Sequence, residues 1–423
     1  MNHFEYRDGV MHAEDVDLRK IVKSVGTPFY CYSSATLVRH YTVFSEAFTG
    51  VDSLVCFAMK ANSNQAVIGT LAALGAGMDV VSEGELRRAI AAGIPGSRIT
   101  FSGVGKTPAE IQYAIDQQIL CFNVESEPEL RAISEIAAQA HSKIPVSIRI
   151  NPDIDAQTHK KISTGKSENK FGIPLSRARE VYKLAAELPG IRITGVDMHI
   201  GSQITELSPF DRAFTLLAEL VHQLRADGHT IEHIDLGGGL GIPYRSGDDP
   251  DSYHPEKYAT IVKQRMRNLG CKLIFEPGRL LTGNAGILVS TVLYIKHGDG
   301  RDFVIVDAAM NDLIRPTLYD AHHDIVPLIA DLREGDPAIA DVVGPVCETG
   351  DYLALGRLLP PLQAGDQIAV MSAGAYGAVQ AGTYNSRLLI PEVMVNGNDW
   401  AVIRRRPTYD ELIGLDQLPN WLE

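Results

Sequence analysis

Short apolar runs recur along the chain from Leu54 to Phe275, separated by stretches with helical patterning. They are Leu54–Ala58, Met78–Val81, Ile99–Phe101, Ile119–Val124, Val146–Ile150, Ile193–Ile200, His233–Leu236 and Lys272–Phe275. Most are rich in Val, Ile and Phe on both faces, as parallel strands covered on both sides should be. The segments between them carry helix-start signals. Thr107-Pro108-Ala109-Glu110 has capping-box spacing with proline at the first helical position, Ser126-Glu127-Pro128-Glu129 repeats the box, and Ser208-Pro209 opens a third helix. Gly75, Gly93 and Gly190 fall where helices should stop. Eight β-then-α units predict an α/β fold with a (β/α)8 TIM-like barrel; a doubly wound sheet is the competing architecture.

The pattern changes at Gly286. From there the chain reads as strands and turns, at Ile287–Ile295, Phe303–Val306, Asp341–Val346 and Gln367–Met371. A C-terminal β domain, sandwich or barrel-like, is expected, completed by an N-terminal strand around Pro28–Tyr32. The predicted division is an N-terminal segment at residues 1–34, a barrel at 35–283 and a β domain at 284–423.

Composition narrows the function classes. The 423 residues are 45% hydrophobic, enough for a large core and a second domain. The net charge of −13 comes with no dense basic block beyond Arg404, Arg405 and Arg406, so nucleic acid is not an expected partner. No stretch approaches a membrane span, and the segment from Met1 to Gly9 lacks the apolar core of a signal peptide. The five cysteines, Cys31, Cys56, Cys121, Cys271 and Cys347, are odd in number and form no CxxC pair. Neither a disulfide framework nor a metal site is suggested, and a reduced cytoplasmic location is the default. Cys56, Cys121 and Cys271 lie on expected strands and read as core residues.

Candidate chemistry sits where barrel strands end, the face that carries active sites in such barrels. The first strand runs into Met59-Lys60-Ala61-Asn62. A lysine directly after a buried strand is either a structural ion-pair partner or an amine suited to Schiff-base chemistry. The sixth strand ends in His199-Ile200-Gly201-Ser202, where the histidine alone could equally be a core residue. The seventh ends Gly237-Gly238-Gly239-Leu240-Gly241, either a tight turn or a loop that lets backbone N–H groups approach a phosphate. The eighth ends Glu276-Pro277-Gly278-Arg279. A lysine, a phosphate cradle, a flat-ring partner and a carboxylate together suggest pyridoxal 5'-phosphate. Asp79 and Arg149, at the ends of the second and fifth strands, either support that cofactor or pair with other charges.

At this point the sequence resembles the fold type III pyridoxal-phosphate-dependent decarboxylases, whose barrel is of the alanine racemase-like kind. The matching stretches are Phe57–Asn62, Lys170-Phe171-Gly172-Ile173, His199–Ser202, Gly237–Gly241, Glu276–Arg279, Cys347-Glu348-Thr349-Gly350-Asp351 and Ala375-Tyr376-Gly377. They span nearly the whole chain in the family's order. Within the family, Ile162-Ser163-Thr164-Gly165, Gly239-Leu240-Gly241-Ile242 and Arg315-Pro316-Thr317-Leu318-Tyr319 are similar to the branch that acts on diaminopimelate. Phe57 stands where tyrosine is common, and Thr349 where serine is common.

The resemblance implies a lyase that decarboxylates meso-2,6-diaminopimelate at its D centre to give L-lysine and CO2, the last step of lysine biosynthesis. It implies that Lys60 holds the cofactor covalently, that Glu276 holds a proton on the ring nitrogen, and that His199 stacks on the ring. Ser202, Gly238, Gly239, Gly278, Arg279 and Tyr376 would bind the cofactor's phosphate end. Arg279, Arg315 and Tyr319 would fix the substrate's distal carboxylate, with Tyr376 nearby and Glu348 taking the distal ammonium. Cys347 would return a proton after CO2 leaves. The family further implies a homodimer whose active sites are shared across the interface. Other substrates on the same fold are ornithine, arginine and carboxylated polyamines such as carboxynorspermidine, but two arginines, Arg279 and Arg315, suit a second carboxylate. A cofactor-binding regulatory protein without turnover would lack the β domain with Cys347 and Glu348, and a racemase would carry arginine in place of Glu276.

Overall fold

The computed structural model describes residues 2–156, 161, 164–166 and 168–422; Ile162 and Ser163, part of one family-like stretch, lie outside them. Two compact units emerge. One comprises Val38–Pro243 and Asp249–Leu281, the other Met1–Leu37, Tyr244–Asp248 and Thr282–Glu423.

The first unit is a closed barrel of parallel strands. These are Ser53–Ala58, Gly77–Val80, Ile99–Phe101, Cys121–Val124, Ile144–Asn151, Ile191–Asp197, His233–Asp235 and Lys272–Phe275. Each pairs with the next in chain order, and the last pairs with the first, Leu273 opposite Ser53. The doubly wound alternative is excluded by that closure. Consecutive apolar residues form these strands because outward side chains meet helices and inward ones fill the barrel. Phe275 shows the outward case: its ring centroid lies 4.1 Å from that of Phe48 and packs edge-on to Phe44. Tyr258 extends this layer to Phe210, with centroids 5.0 Å apart.

The helix signals work unequally. Thr107 and Glu110 form the full capping box of the helix Pro108–Asp116. Ser126 caps the helix Glu127–Gln139, but Glu129 does not complete its box. Its carboxylate accepts from the Glu125 N–H and pairs with the buried Lys106 ammonium at 2.6 Å, a stronger attraction than the cap's own N–H offers. The sixth strand is shorter than its apolar run and ends at Asp197, so His199 stands beyond it in the loop. Cys271 is corrected too. It precedes its strand, is only half-buried, and its sulfur receives Arg225 Nη2 at 3.0 Å.

The second unit is a β structure. The long strand Gly286–Gly298 pairs antiparallel with Phe29–Ser33, with Gln367–Val370 and with Arg301–Val306. The N-terminal strand Phe29–Ser33 lies inside this sheet, because Glu392–Asn396 pairs with its other edge. Strands Ala338–Val343, Tyr352–Leu359, Ile325–Pro327 and Asp399–Arg404 complete it. A separate meander of Phe4–Arg7, Val10–Ala13 and Val16–Asp17 packs with it through Phe4, Met11, Leu18, Phe29, Ile287 and Val393. Among the described residues no helix is long and apolar enough to cross a membrane.

Candidate active site

Lys60 lies on the single turn Met59–Ala61 that follows the first barrel strand. Its Nζ is 2.8 Å from Oδ2 of Asp79, which is fully buried at the end of the second strand. Asp79 is thereby one of the two open cases resolved: it is the lysine's counter-charge. Arg149, the other, is buried and pairs with Glu125 at 2.6 Å, with Asp197 3.9 Å away. Its Nη2 also donates to the His199 carbonyl oxygen, and its guanidinium lies 4.9 Å from the Phe171 ring centroid. The Gly172 N–H donates to Glu125 at 2.8 Å, so the Phe171-Gly172 stretch and the His199 loop are joined through one ion pair.

Parallel register gathers carboxylates inside the barrel. Asp197 and Asp235 are cross-strand partners, and one oxygen from each lies within 4.8 Å of one from Glu276. Asn123 bridges the pair, its Nδ2 standing 3.3 Å from Asp235 and 3.2 Å from Glu276, and the Thr100 hydroxyl donates to Glu276. Burial, reinforced by Asp235, Asp79 and Asp197, drives the Glu276 carboxyl well above the usual carboxylate range. Burial likewise pushes Asp235 up to about 6 and raises Asp197 strongly. Glu276 stands out in the sequence as a charge after an apolar run, whereas Asp197, Asp235 and Asn123 sit within strands like ordinary polar residues.

His199 is driven in the opposite direction. Burial first, then the charges of Arg149 and Lys60, hold its pKa well below the usual value. Gly238 N–H points at its Nδ1 at 3.2 Å, so Nδ1 is an acceptor and the neutral ring carries its proton on Nε2.

The glycine loop is a close-approach device and not merely a turn. Gly237 and Gly239 have positive φ, 63° and 106°. A Cβ on Gly238 would stand 2.2 Å from the Glu276 carbonyl oxygen, and one on Gly239 would stand 2.4 Å from that of Gly201. Glu276 N–H donates to Gly237 O, and Ile204 N–H to Gly239 O, which draws the ends of the sixth, seventh and eighth strands together. At the same place Arg279 Nη2 donates to Ser202 Oγ at 2.9 Å, and Gly278 packs against Ala61. Lys60, His199, Ser202, Gly238, Gly239, Glu276, Gly278 and Arg279 therefore all stand at the C-terminal ends of the barrel strands.

Pyridoxal phosphate fits this donor set. Asp79 Oδ1 and Asp197 Oδ1 are buried without a hydrogen-bond partner, and Glu276 lies in a surplus of carboxylates. A ring N–H⁺ supplies the cation such a surplus lacks.

The remaining candidates belong to the β unit. Arg315 and Tyr319 begin and end the short helix Arg315–Tyr319. Arg315 is buried, with its Nη1 2.9 Å from His323 Nε2, while the Tyr319 hydroxyl receives Gln380 Nε2. Cys347 is exposed in the loop between strands Ala338–Val343 and Tyr352–Leu359, and its N–H donates to Asn385 Oδ1 at 2.8 Å. Asp351 knots that loop by accepting from the Val346 and Met310 N–H groups. Thr317 Oγ1 donates to the Gly350 carbonyl oxygen, so the helix bearing Arg315 is tied to the loop bearing Cys347 and Glu348. Tyr376 holds a left-handed φ of 56° within its turn.

Known proteins are similar to this chain in sequence and fold. A family model described as the pyridoxal binding domain of pyridoxal-dependent decarboxylases matches residues 34–283. The chain is 49% identical over 417 residues to the diaminopimelate decarboxylase of Haemophilus influenzae, covering 98% of this chain and 99% of that protein. It is 48% identical to that of Vibrio cholerae, with 99% of both covered. Among solved structures, the M. jannaschii diaminopimelate decarboxylase in co-complex with L-lysine matches with a TM-score of 0.93 at 36% identity, over 99% of both chains. The chain belongs to the diaminopimelate decarboxylase family of pyridoxal-dependent decarboxylases.

Proposed function

We propose that this chain decarboxylates meso-2,6-diaminopimelate at its D centre, releasing CO2 and L-lysine. The observation that carries the reading is Glu276, a carboxylate buried among carboxylates at the mouth that also holds Lys60 and the glycine cradle. When bound, pyridoxal phosphate supplies an electron sink for the pair left at the substrate carbon as CO2 departs. Lys60 would hold the cofactor covalently through its amine. Glu276 retains the ring-nitrogen proton through a charge-assisted hydrogen bond. His199, held neutral, would offer a flat face to the ring without adding charge. Ser202, Gly238, Gly239, Gly278, Arg279 and Tyr376 receive the phosphate end.

On this reading residues 35–283 supply most of the cofactor's partners and residues 284–423 most of the substrate's, with Tyr376 and Arg279 serving both. Arg279, Arg315 and Tyr319 orient the distal carboxylate, with Tyr376 beside them, and Glu348 takes the distal ammonium. Cys347 delivers a proton to the carbon that has lost CO2. We further propose a homodimer in which Cys347 and Glu348 serve the partner's barrel, and a cytoplasmic location, which the free state of all five cysteines supports.

The test is CO2 release from a panel of amino acids with the cofactor-loaded enzyme. meso-Diaminopimelate should react, with L-lysine as product. Ornithine, arginine and lysine lack the second carboxylate and should react poorly. Equal rates on ornithine would move the enzyme to the polyamine branch.

A further inference from the structure

Arg315 is held by a histidine whose protonation state the surrounding atoms dictate. His323 is completely buried. Its Nδ1 lies 2.8 Å from the Met371 carbonyl oxygen. A carbonyl only accepts, so Nδ1 carries a hydrogen. Its Nε2 lies 2.9 Å from Arg315 Nη1, and a guanidinium only donates, so Nε2 is a lone pair. Both demands are met by one species alone, the neutral ring protonated on Nδ1. The sheet keeps this ring in place. Met371 N–H donates to Asp324 O, and the adjoining strand Ile325–Pro327 pairs with Gln367–Val370. Tyr244 closes the arrangement, its ring 4.8 Å below the guanidinium and edge-on to His323 at 5.4 Å.

The chemical identity of these neighbours matters. An aspartate or glutamate in place of His323 would orient Arg315 equally well but would cancel its charge. A neutral imidazole and an aromatic face fix the direction of the guanidinium fork without placing a negative charge of their own beside it. A side chain with this many rotamers otherwise loses ordering entropy each time it meets a ligand.

We propose that His323 is a positioning residue, a neutral clamp that sets Arg315 for the distal carboxylate of the substrate. The proposal rests on the reading of Arg315 given above and adds a specificity role to a residue that touches no substrate itself. The amide nitrogen of asparagine stands where Nδ1 does, so His323→Asn keeps a donor for Met371 but offers Arg315 no acceptor. The longer glutamine carries an amide oxygen that reaches the Nε2 position.

The test uses the cofactor-loaded enzyme and two ligands. L-Lysine keeps the carboxylate that the reaction does not remove; cadaverine has neither carboxylate. His323→Asn should weaken L-lysine about tenfold, the scale of a lost hydrogen bond to a charged group, and leave cadaverine unchanged. It should raise KM for meso-diaminopimelate with kcat nearly intact, and His323→Gln should restore most of the affinity. Equal weakening of both ligands would mean a merely structural residue and would overturn the clamp. Arg315→Leu separates the two levels of the argument. If it weakens L-lysine while His323→Asn does not, the clamp is wrong and the reading of Arg315 stands. If it leaves L-lysine unaffected, the reading of Arg315 fails and the clamp with it. Selective 15N labelling of histidine needs no variant: the unaltered enzyme should show His323 neutral with its proton on Nδ1. A protonated ring, or a proton on Nε2, would overturn the proposal.

Discussion

The ammonium of Lys60 and the buried carboxylate of Asp79 stand 2.8 Å apart, yet the two side chains differ in exposure, 36% against 0%. The lysine can therefore reach outward toward a ligand while its counter-charge stays fixed beneath it. Lys60→Ala should abolish covalent attachment of the cofactor and nearly all turnover. The expected readout is loss of the visible absorbance band that borohydride removes in the wild type. Label recovered on another lysine after reduction would refute the assignment. The same substitution leaves Asp79 buried without its cation, a cost of roughly 1–2 kcal/mol once discounted for the exposure of Lys60. Adding Asp79→Asn should recover part of that loss in chemical denaturation.

Glu276→Gln should preserve the fold, because a carbonyl oxygen can still accept from Asn123 and Thr100. Decarboxylation should slow by about a hundredfold or more, the scale seen when a charge-stabilising partner is removed. Full activity with bound cofactor would show that Glu276 does not hold the ring proton.

Stability of the cofactor-free enzyme should depend on pH through Asp235. Its folded pKa, about 6, lies above the unfolded value of 3.8, so the folded chain binds the extra proton between these limits. The contribution is fully present below the unfolded value and is lost as pH rises to about 6, on the order of 2–3 kcal/mol. Glu276 and Asp197, also raised by burial, act in the same sense. Asp235→Asn retains an acceptor for the Gly237 N–H and should flatten this slope relative to wild type. Identical denaturation profiles for the two proteins from pH 4 to about 7 would contradict the argument. Bound cofactor, by bringing a ring cation, should flatten the slope in the wild type as well.

The shared site of the proposed dimer is open to a mixing test. Lys60→Ala and Cys347→Ala proteins should each be nearly inactive alone. After subunit exchange in equal amounts, each mixed dimer would have one native site and one doubly damaged site. Activity should recover to about a quarter of wild type, as two-fold symmetry requires. No recovery, with exchange confirmed by native mass spectrometry, would exclude sharing.

Much of the barrel was legible because a parallel strand covered on both faces must be apolar at consecutive positions, as in Leu54–Ala58. Lys60 and Glu276 were legible because a charge directly after such a run has few structural excuses. Asn123 was not, since only barrel closure brings the fourth strand to Glu276, and Asp235 was not, since only the pairing of its strand with the next one sets it beside Glu276. The β unit was read less completely. Tyr352–Leu359 turns Leu355 and Leu358 outward and is interrupted at Gly356 by a positive φ, so its alternation is broken. His323 illustrates a further limit. It stands beside His322, and nothing local distinguishes a ring bonded to Met371 from its neighbour, which faces Asp324.

The strand Phe29–Ser33 has a consequence for how the chain is made. It leaves the ribosome before the whole barrel does, yet it finds its partners only at Gly286–Val289 and Glu392–Val395. The barrel segments lying between are synthesised, and can close, while this strand still waits with both edges unpaired. Such waiting edges invite pairing with other nascent chains. Emergence of Glu392–Val395 from the ribosome, rather than closure of the barrel, should set the moment at which the newborn protein becomes safe from aggregation.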